Sequence, residues 1–329
     1  MRILISRPLP GGAADFLRRC GYQVTVLPDD RPQEQFQREL AQADGVICLL
    51  SDPMGAAVLA EAARLRAIAT YAVGYNNIDI AACTRAGLPV TNTPDVLTDA
   101  TADVAMILIL MTMRRVPDAM RYLADGRFTG WKPDLLLGRD LRGKNLGIVG
   151  MGRIGQAVAR RAEAFGMKIF YHTRSGPKPD LPWPHLSFDA LLAEADVISI
   201  HVPLTDATRH LFGPAQLRRM KPGAVLINTA RGPVVDEAAL VEALASGHLA
   251  GAGLDVFEEE PKVHPGLWQH PNAVLLPHIG SGTLETRSEM GMMAARSLHE
   301  ALSGRRAPFT VNPEVYDTPA WRQRLGSGA

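Results

Sequence analysis

Three ionisable residues in the second half of the chain stand just beyond short apolar runs. They are Arg231 after Ile227-Asn-Thr-Ala230, Glu260 within Asp255-Val-Phe-Glu-Glu-Glu-Pro261, and His278 after Leu275-Leu-Pro277. Their chemistries are complementary. An arginine offers a planar, permanently charged fork that binds a carboxylate and polarises a neighbouring carbonyl. A histidine exchanges a proton near neutral pH, as acid in one direction and base in the other. A glutamate on the second ring nitrogen orients the imidazole and favours its charged form. The set suits reduction of a 2-oxo acid, in which a carbonyl carbon is attacked and its oxygen protonated. Each residue alone also has a plainer reading: Arg231 as a helix cap, Glu260 as part of a solvated acidic run, His278 as a core histidine with satisfied nitrogens. The coincidence of all three at strand ends favours the chemical reading, because ligands of open α/β sheets bind at the carboxyl edge of the strands. The histidines at His185, His210, His248, His264, His270 and His299 fall in expected loops or helix surfaces and carry no assigned role.

A dinucleotide site is legible where the apolar run Leu146–Val149 enters Gly150-Met-Gly152-Arg-Ile-Gly155, followed by a helix expected from Gln156 to Phe165. Between a strand and a helix this glycine spacing is informative. Gly150 permits the tight turn, Gly152 admits a pyrophosphate to the backbone, and Gly155 allows close helix–strand packing. The helix start adds N–H groups and positive dipole for the phosphates. The next strand ends in His172-Thr-Arg-Ser175, without the acid that normally accepts the ribose hydroxyls of NAD. Thr173, Arg174 and Ser175 suit a 2′-phosphate instead, so NADP(H) is the expected cofactor. His172 either joins them or caps the strand. A solvated Arg174, with NAD(H) also used, is the alternative.

Elements that position these groups follow from the apolar pattern. Strands are expected at Ile3–Ser6, Gln23–Leu27, Gly45–Leu49, Ala67–Tyr71 and Pro89–Thr91, with helices between them such as Gly12–Cys20 and Gln33–Ala41. A long helix, Asp99 to Arg114, leads to a second series: Asn145–Val149, Lys168–Tyr171, Val197–His201, Ala224–Asn228, Gly253–Val256 and Val274–Leu276. Another helix, Thr283 to Ser303, precedes a polar tail. This alternation predicts two open parallel α/β sheets. The 329 residues likewise exceed one comfortable hydrophobic core.

Composition narrows the class. A hydrophobic content of 47% with 21% charged residues is that of a globular enzyme. The net charge of +1 gives no basic excess for nucleic acid or an anionic membrane. Three cysteines (Cys20, Cys48, Cys83) lack metal-ligand spacing and suggest a reducing, cytoplasmic setting with no metal site. The N-terminal Met1–Pro8 reads as a strand, not a signal peptide. The longest apolar stretch, Val104 to Met113, is shorter than the roughly 20 residues a bilayer requires.

Several segments resemble the D-isomer-specific 2-hydroxyacid dehydrogenase family: Ala72-Val-Gly-Tyr-Asn-Asn-Ile-Asp79, Thr91-Asn-Thr-Pro94, Gly150–Gly155, Asn228-Thr-Ala-Arg-Gly-Pro233, Gly253-Leu-Asp-Val-Phe257, Glu260-Pro261 and Pro277-His-Ile-Gly280. They span nearly the whole chain. The Val73–Asp79 run, Trp131-Lys-Pro133 and the Arg174 strand end are most similar to the glyoxylate/hydroxypyruvate reductase branch. This resemblance implies Arg231, Glu260 and His278 as the catalytic residues. It implies a Rossmann cofactor domain, 99–281, inserted in a flavodoxin-like substrate domain of 1–98 and 282–329. The Asp99–Arg114 and Thr283–Ser303 helices would bridge the two, around a cleft that closes on substrate.

By the same resemblance, backbone amides at Val73 and Gly74 meet the substrate carboxylate, Leu50 lines the pocket, and Arg231 and His278 contact substrate. Trp131 would reach the partner's active site across a homodimer interface, with local packing under a loop as the alternative. Cofactor contacts would include Thr101, Arg153, Ile154, Val202, Pro203, Thr208, Thr229, Ala230, Arg231, His278 and Gly280. Asp255 would have cofactor or structural duties. The implied activity is reduction of glyoxylate or hydroxypyruvate, to glycolate or D-glycerate, with NADPH. Rivals are a reductase for a bulkier 2-oxo acid, such as phenylpyruvate or 2-ketogluconate, and a nicotinamide-sensing corepressor-like module. No C-terminal regulatory domain is expected.

Overall fold

Every strand among the described residues lies in one of two all-parallel sheets, and contacts divide the molecule accordingly into Met1–Leu97 with the chain from Ser281 onward, and Thr98–Gly280. The structure, a computed structural model, describes residues 1–326; the end of the expected C-terminal tail, 327–329, lies outside them.

The first unit contains β1 (Arg2–Ile5), β2 (Gln23–Val26), β3 (Gly45–Cys48), β4 (Ala67–Thr70) and β5 (Val90–Thr91), in the order β2-β1-β3-β4-β5. This 2-1-3-4-5 order is the flavodoxin-like one. Side chains alternate across the sheet with the strand period of two. Ile3 and Ile5 face a core built with Ala294, Leu298 and Leu302 of the helix Leu284–Leu302. Leu4, Val46 and Ile68 face the opposite core, with Phe36, Leu40 and Leu59.

The second unit contains β6 (Asn145–Val149), β7 (Lys168–His172), β8 (Val197–Ile200), β9 (Ala224–Asn228), β10 (Leu249–Leu254) and β11 (Ala273–Leu275), in the order β11-β10-β9-β8-β6-β7. Beyond β7 a single parallel bridge, Tyr171 to His185, extends the sheet by one position. With it, the order becomes the doubly wound one, reversing direction between β6 and β8. One face packs Leu146, Ile148 and Ile227 on the helices Thr98–Met113 and Arg153–Ala164. The other packs Ile198, Ile200 and Leu226 on Leu191, Leu217 and Leu240.

Two boundaries differ from expectation by more than two residues, each for a physical reason. The helix after the glycine turn begins at Arg153, not Gln156, because Gly152 is its N-cap and its carbonyl accepts from Gln156 N at 3.0 Å. Strand β10 begins at Leu249, not Gly253. Its glycines are close-approach positions: a Cβ on Gly251 would lie 2.5 Å from Asn272 Nδ2, and one on Gly253 would lie 2.8 Å from Leu108 Cβ.

Candidate active site

At the carboxyl end of β6, Gly150 adopts φ +98°, and a Cβ there would lie 2.6 Å from the His201 carbonyl. A Cβ on Gly155 would lie 2.3 Å from the Gly150 oxygen, so the helix sits directly against the turn. Gly152 has open space within 4 Å of where its Cβ would be. The result is a cradle with one unobstructed face at a helix N-terminus, which fits a pyrophosphate. Arg153 and Ile154 open that helix.

The expected adenosine-ribose residues divide in two. Arg174 and Ser175 are exposed at the end of β7, and Thr173 Oγ1 donates to the Gly176 carbonyl at 2.5 Å. His172 is used differently: its Nδ1 lies 3.1 Å from the Leu186 carbonyl, and its ring packs beside His185 and Phe188. These contacts brace the loop that follows β7. After β8, Thr208 Oγ1 donates to the Pro203 carbonyl at 2.7 Å and closes the loop that starts at Val202.

Arg231 follows β9 through a braced turn. The fully buried Asn228 accepts from Ala230 N through Oδ1 (3.0 Å), and its Nδ2 donates to the Arg231 carbonyl (2.9 Å). Thr229 is buried beneath this turn. Next to it, a Cβ on Gly232 would lie 1.8 Å from the Phe257 carbonyl oxygen. Only glycine lets the Arg231 segment lie this close to the loop that carries Glu260. Burial lowers the Arg231 pKa, and the Glu260 carboxylate opposes that shift.

Glu260 is held from two sides. Its Oε1 accepts from Phe257 N at 3.1 Å, and its Oε2 lies 2.9 Å from His278 Nδ1. Burial pushes its carboxyl up, but the bond to His278, the His278 charge, the Phe257 amide and Arg231 together outweigh burial and hold it below the usual range. Its loop is fastened by Glu237, which accepts from Glu258 N at 2.5 Å and from His264 N at 3.3 Å.

His278 has φ +52°, a left-handed conformation that costs free energy in a residue with a Cβ. Asp255 accounts for it. This carboxylate is 1% exposed and accepts from Ile279 N and Gly280 N, each at 2.7 Å, so it ties down the two residues after His278. Burial raises the Asp255 pKa, while the two amides and His278 oppose the shift. Both oxygens thus brace this turn, which is the structural one of the two expected duties. A Cβ on Gly280 would meet Asp255 Oδ2 at 3.0 Å and Thr101 at 3.5 Å, so Thr101 borders the same spot.

In the first unit, the expected substrate loops are tied together. Asn77 Nδ2 donates to the Leu49 and Asp52 carbonyls at 3.0 and 2.8 Å, and Asn92 Nδ2 donates to the Val73 carbonyl at 2.8 Å. Asp52 is also paired with the buried Arg31 and accepts from Leu49 N at 2.8 Å. Leu50, Val73 and Gly74 therefore sit on braced loops at the carboxyl edge of their own sheet, each partly exposed. Trp131 is 83% exposed, so packing under a local loop does not explain it.

The sequence alone pointed to no role for Asn228 or Gly232, nor for Lys178, whose ammonium donates to the Met151 carbonyl of the glycine turn at 2.8 Å. Asn228 and Gly232 were readable only as members of a motif, and their partners are distant or turn-specific. Lys178 lies past a Gly-Pro pair that hides the return of its chain.

Residues 106–280 match the family model described as D-isomer specific 2-hydroxyacid dehydrogenase, NAD binding domain. The chain is 44% identical over 324 residues to a glyoxylate reductase of Thermococcus litoralis, covering 95% of this chain and 97% of the relative. It is 46% identical over 325 residues to one of Aeropyrum pernix, covering 95% and 96%. Among solved structures it is similar to the TT0316 protein of Thermus thermophilus, with TM-score 0.90, 48% identity, and coverage of 94% of this chain and 100% of that one. It is also similar to an NADPH-dependent glyoxylate/hydroxypyruvate reductase of Sinorhizobium meliloti in complex with NADP and malonate, with TM-score 0.84, 35% identity, and coverage of 95% and 97%.

Proposed function

Because the chain belongs to the D-isomer-specific 2-hydroxyacid dehydrogenase family, and is thus an oxidoreductase acting on CH–OH donors, we propose that it reduces glyoxylate and hydroxypyruvate with NADPH. The observation that carries this reading is the 2.9 Å contact between His278 Nδ1 and Glu260 Oε2. A carboxylate only accepts, so Nδ1 bears hydrogen and Nε2 is the nitrogen left to exchange a proton with substrate. Arg231 binds the substrate carboxylate and polarises the adjacent carbonyl. His278 donates the Nε2 proton to the carbonyl oxygen, and Glu260 stabilises the imidazolium before the transfer. Val73, Gly74 and Leu50 are the further substrate contacts, by amide and apolar surface respectively.

The Gly150–Gly155 turn, with Thr173, Arg174 and Ser175 at the ribose end, would hold the cofactor, whose nicotinamide supplies a hydride to the carbonyl carbon. The hydroxyl–Arg–hydroxyl strand end without an acid supports NADP(H) over NAD(H). A homodimer is part of the proposal. Ile107, Met120, Leu123, Phe128, Trp131 and Leu137 are large, exposed apolar residues within one stretch of chain, and a second copy would cover them. Three free cysteines support a reducing, cytoplasmic setting. No helix among the described residues is long and apolar enough to cross a membrane.

The test is loss of reduced-nicotinamide absorbance with glyoxylate, hydroxypyruvate, pyruvate and phenylpyruvate, each with NADPH and with NADH. Fast consumption is expected for the first two with NADPH. Preference for phenylpyruvate, or for NADH, would replace that half of the proposal.

A further inference from the structure

Beyond β7 the chain makes a tight reversal that brings a lysine back to the glycine turn. Gly176 N donates to the Thr173 carbonyl at 3.1 Å, and Gly176 takes φ +81°. Two residues later Lys178 N donates to Tyr171 Oη at 2.6 Å; Tyr171 itself is 1% exposed and fixed in the core. From this anchor the Lys178 ammonium reaches Met151 and donates to its carbonyl at 2.8 Å, between Gly150 and Gly152. Lys178 forms no ion pair among the described residues. Only one of its three N–H groups is used on a protein acceptor.

We propose that Lys178 is the residue that decides cofactor choice, by pairing with a 2′-phosphate on the adenosine ribose, and that Tyr171 is its positioning residue. This rests on the assignment of the Gly150 turn and the Arg174 strand end as the cofactor site. The segment Thr173–Lys178 carries two cations and two hydroxyls and no acid; the first carboxylate is Asp180. A phosphate monoester carries most of two negative charges near neutral pH, so a single exposed arginine leaves it incompletely matched. Arg174 is exposed and must be ordered on binding, whereas Lys178 is already held by its main chain and its ammonium. Pre-ordering reduces the entropy lost on association.

The plainer role for Lys178 is to satisfy the Met151 carbonyl and stiffen the turn. Binding of adenosine 2′,5′-bisphosphate and of adenosine 5′-monophosphate separates the two roles, measured by calorimetry on the full chain without substrate. For Lys178→Gln, affinity for the bisphosphate should fall about tenfold or more, the loss of one charge-assisted contact, with the monophosphate unchanged. Lys178→Arg should recover part of that loss. Tyr171→Phe should lose part of the bisphosphate preference while still binding the monophosphate. Equal loss of both ligands in Lys178→Gln, or loss of neither, overturns the proposal. Loss of preference in Arg174→Gln with none in Lys178→Gln overturns it while leaving the NADP(H) reading standing. A wild-type protein that binds both ligands equally overturns both.

Discussion

Glu260 Oε2 and His278 Nδ1 lie 2.9 Å apart although the two residues come from separate loops, one after β10 and one after β11. Each partner is held independently. Phe257 N fixes the other glutamate oxygen, and Asp255 fixes the two amides after the histidine. The pair is thus set by the backbone rather than by its own attraction, which is the arrangement an acid–base catalyst needs.

Glu260→Gln should lower kcat by about tenfold to a hundredfold, because the imidazolium loses its countercharge. The acid side of the pH–rate profile tests the sign. Glu260 is held below the ordinary glutamate range, so it stays ionised as pH falls through that range. Its contribution to native stability is present above the ordinary value and lost as pH drops through the lowered one. Wild-type activity should therefore persist further into acid than an ordinary glutamate would allow. In Glu260→Gln that limb should no longer reflect a carboxylate.

His278→Asn removes the transferable proton while keeping a residue that tolerates the left-handed backbone. Turnover should fall by about 10²- to 10⁴-fold with cofactor binding near normal by fluorescence titration. Near-wild-type turnover would sink the assignment of the acid.

Gly232→Ala places a Cβ where the Phe257 carbonyl already lies. The Arg231 and Glu260 segments must then separate. Stability in urea should drop by about 1–3 kcal/mol, the range for overpacking, and turnover should fall with it. Unchanged stability would mean that the two loops have slack.

His201 is partly exposed, but desolvation by the surrounding fold holds it neutral down to about 4, with Nε2 2.8 Å from Ser199 Oγ. As pH falls from the ordinary histidine range towards about 4, the unfolded chain takes a proton that the native chain refuses. Stability should decline across that window and then level with respect to this group. The decline should be shallower in His201→Gln, measured as urea midpoint against pH.

Trp131→Ala should leave the protomer's thermal unfolding little changed, since the ring is 83% exposed. Sedimentation should show weaker self-association. A monomeric wild-type protein, or a variant that associates as well, would remove Trp131 from the interface.

The sequence by itself determined the two parallel sheets and the glycine turn, because alternating apolar strands, amphipathic helices and Gly150-x-Gly152 act over a few residues. The positions of Arg231, Glu260 and His278 beyond strands were legible for the same reason: each follows an apolar run, which is a local signal. What lay out of reach was non-local. Strand β10 was expected to start only at Gly253, and the groups that press on Gly251 and Gly253, Asn272 and Leu108, lie far away in the sequence. Nothing near Asp255 in sequence shows that it holds Ile279 and Gly280, more than twenty residues away. Lys178 is an ordinary surface residue by type; its anchoring by Tyr171 and its reach to Met151 exist only once β6 and β7 lie side by side. Local periodicity decides which elements form and where their ends point. Which side chains meet at those ends depends on distances set by sheet order, and only the tertiary structure supplies these.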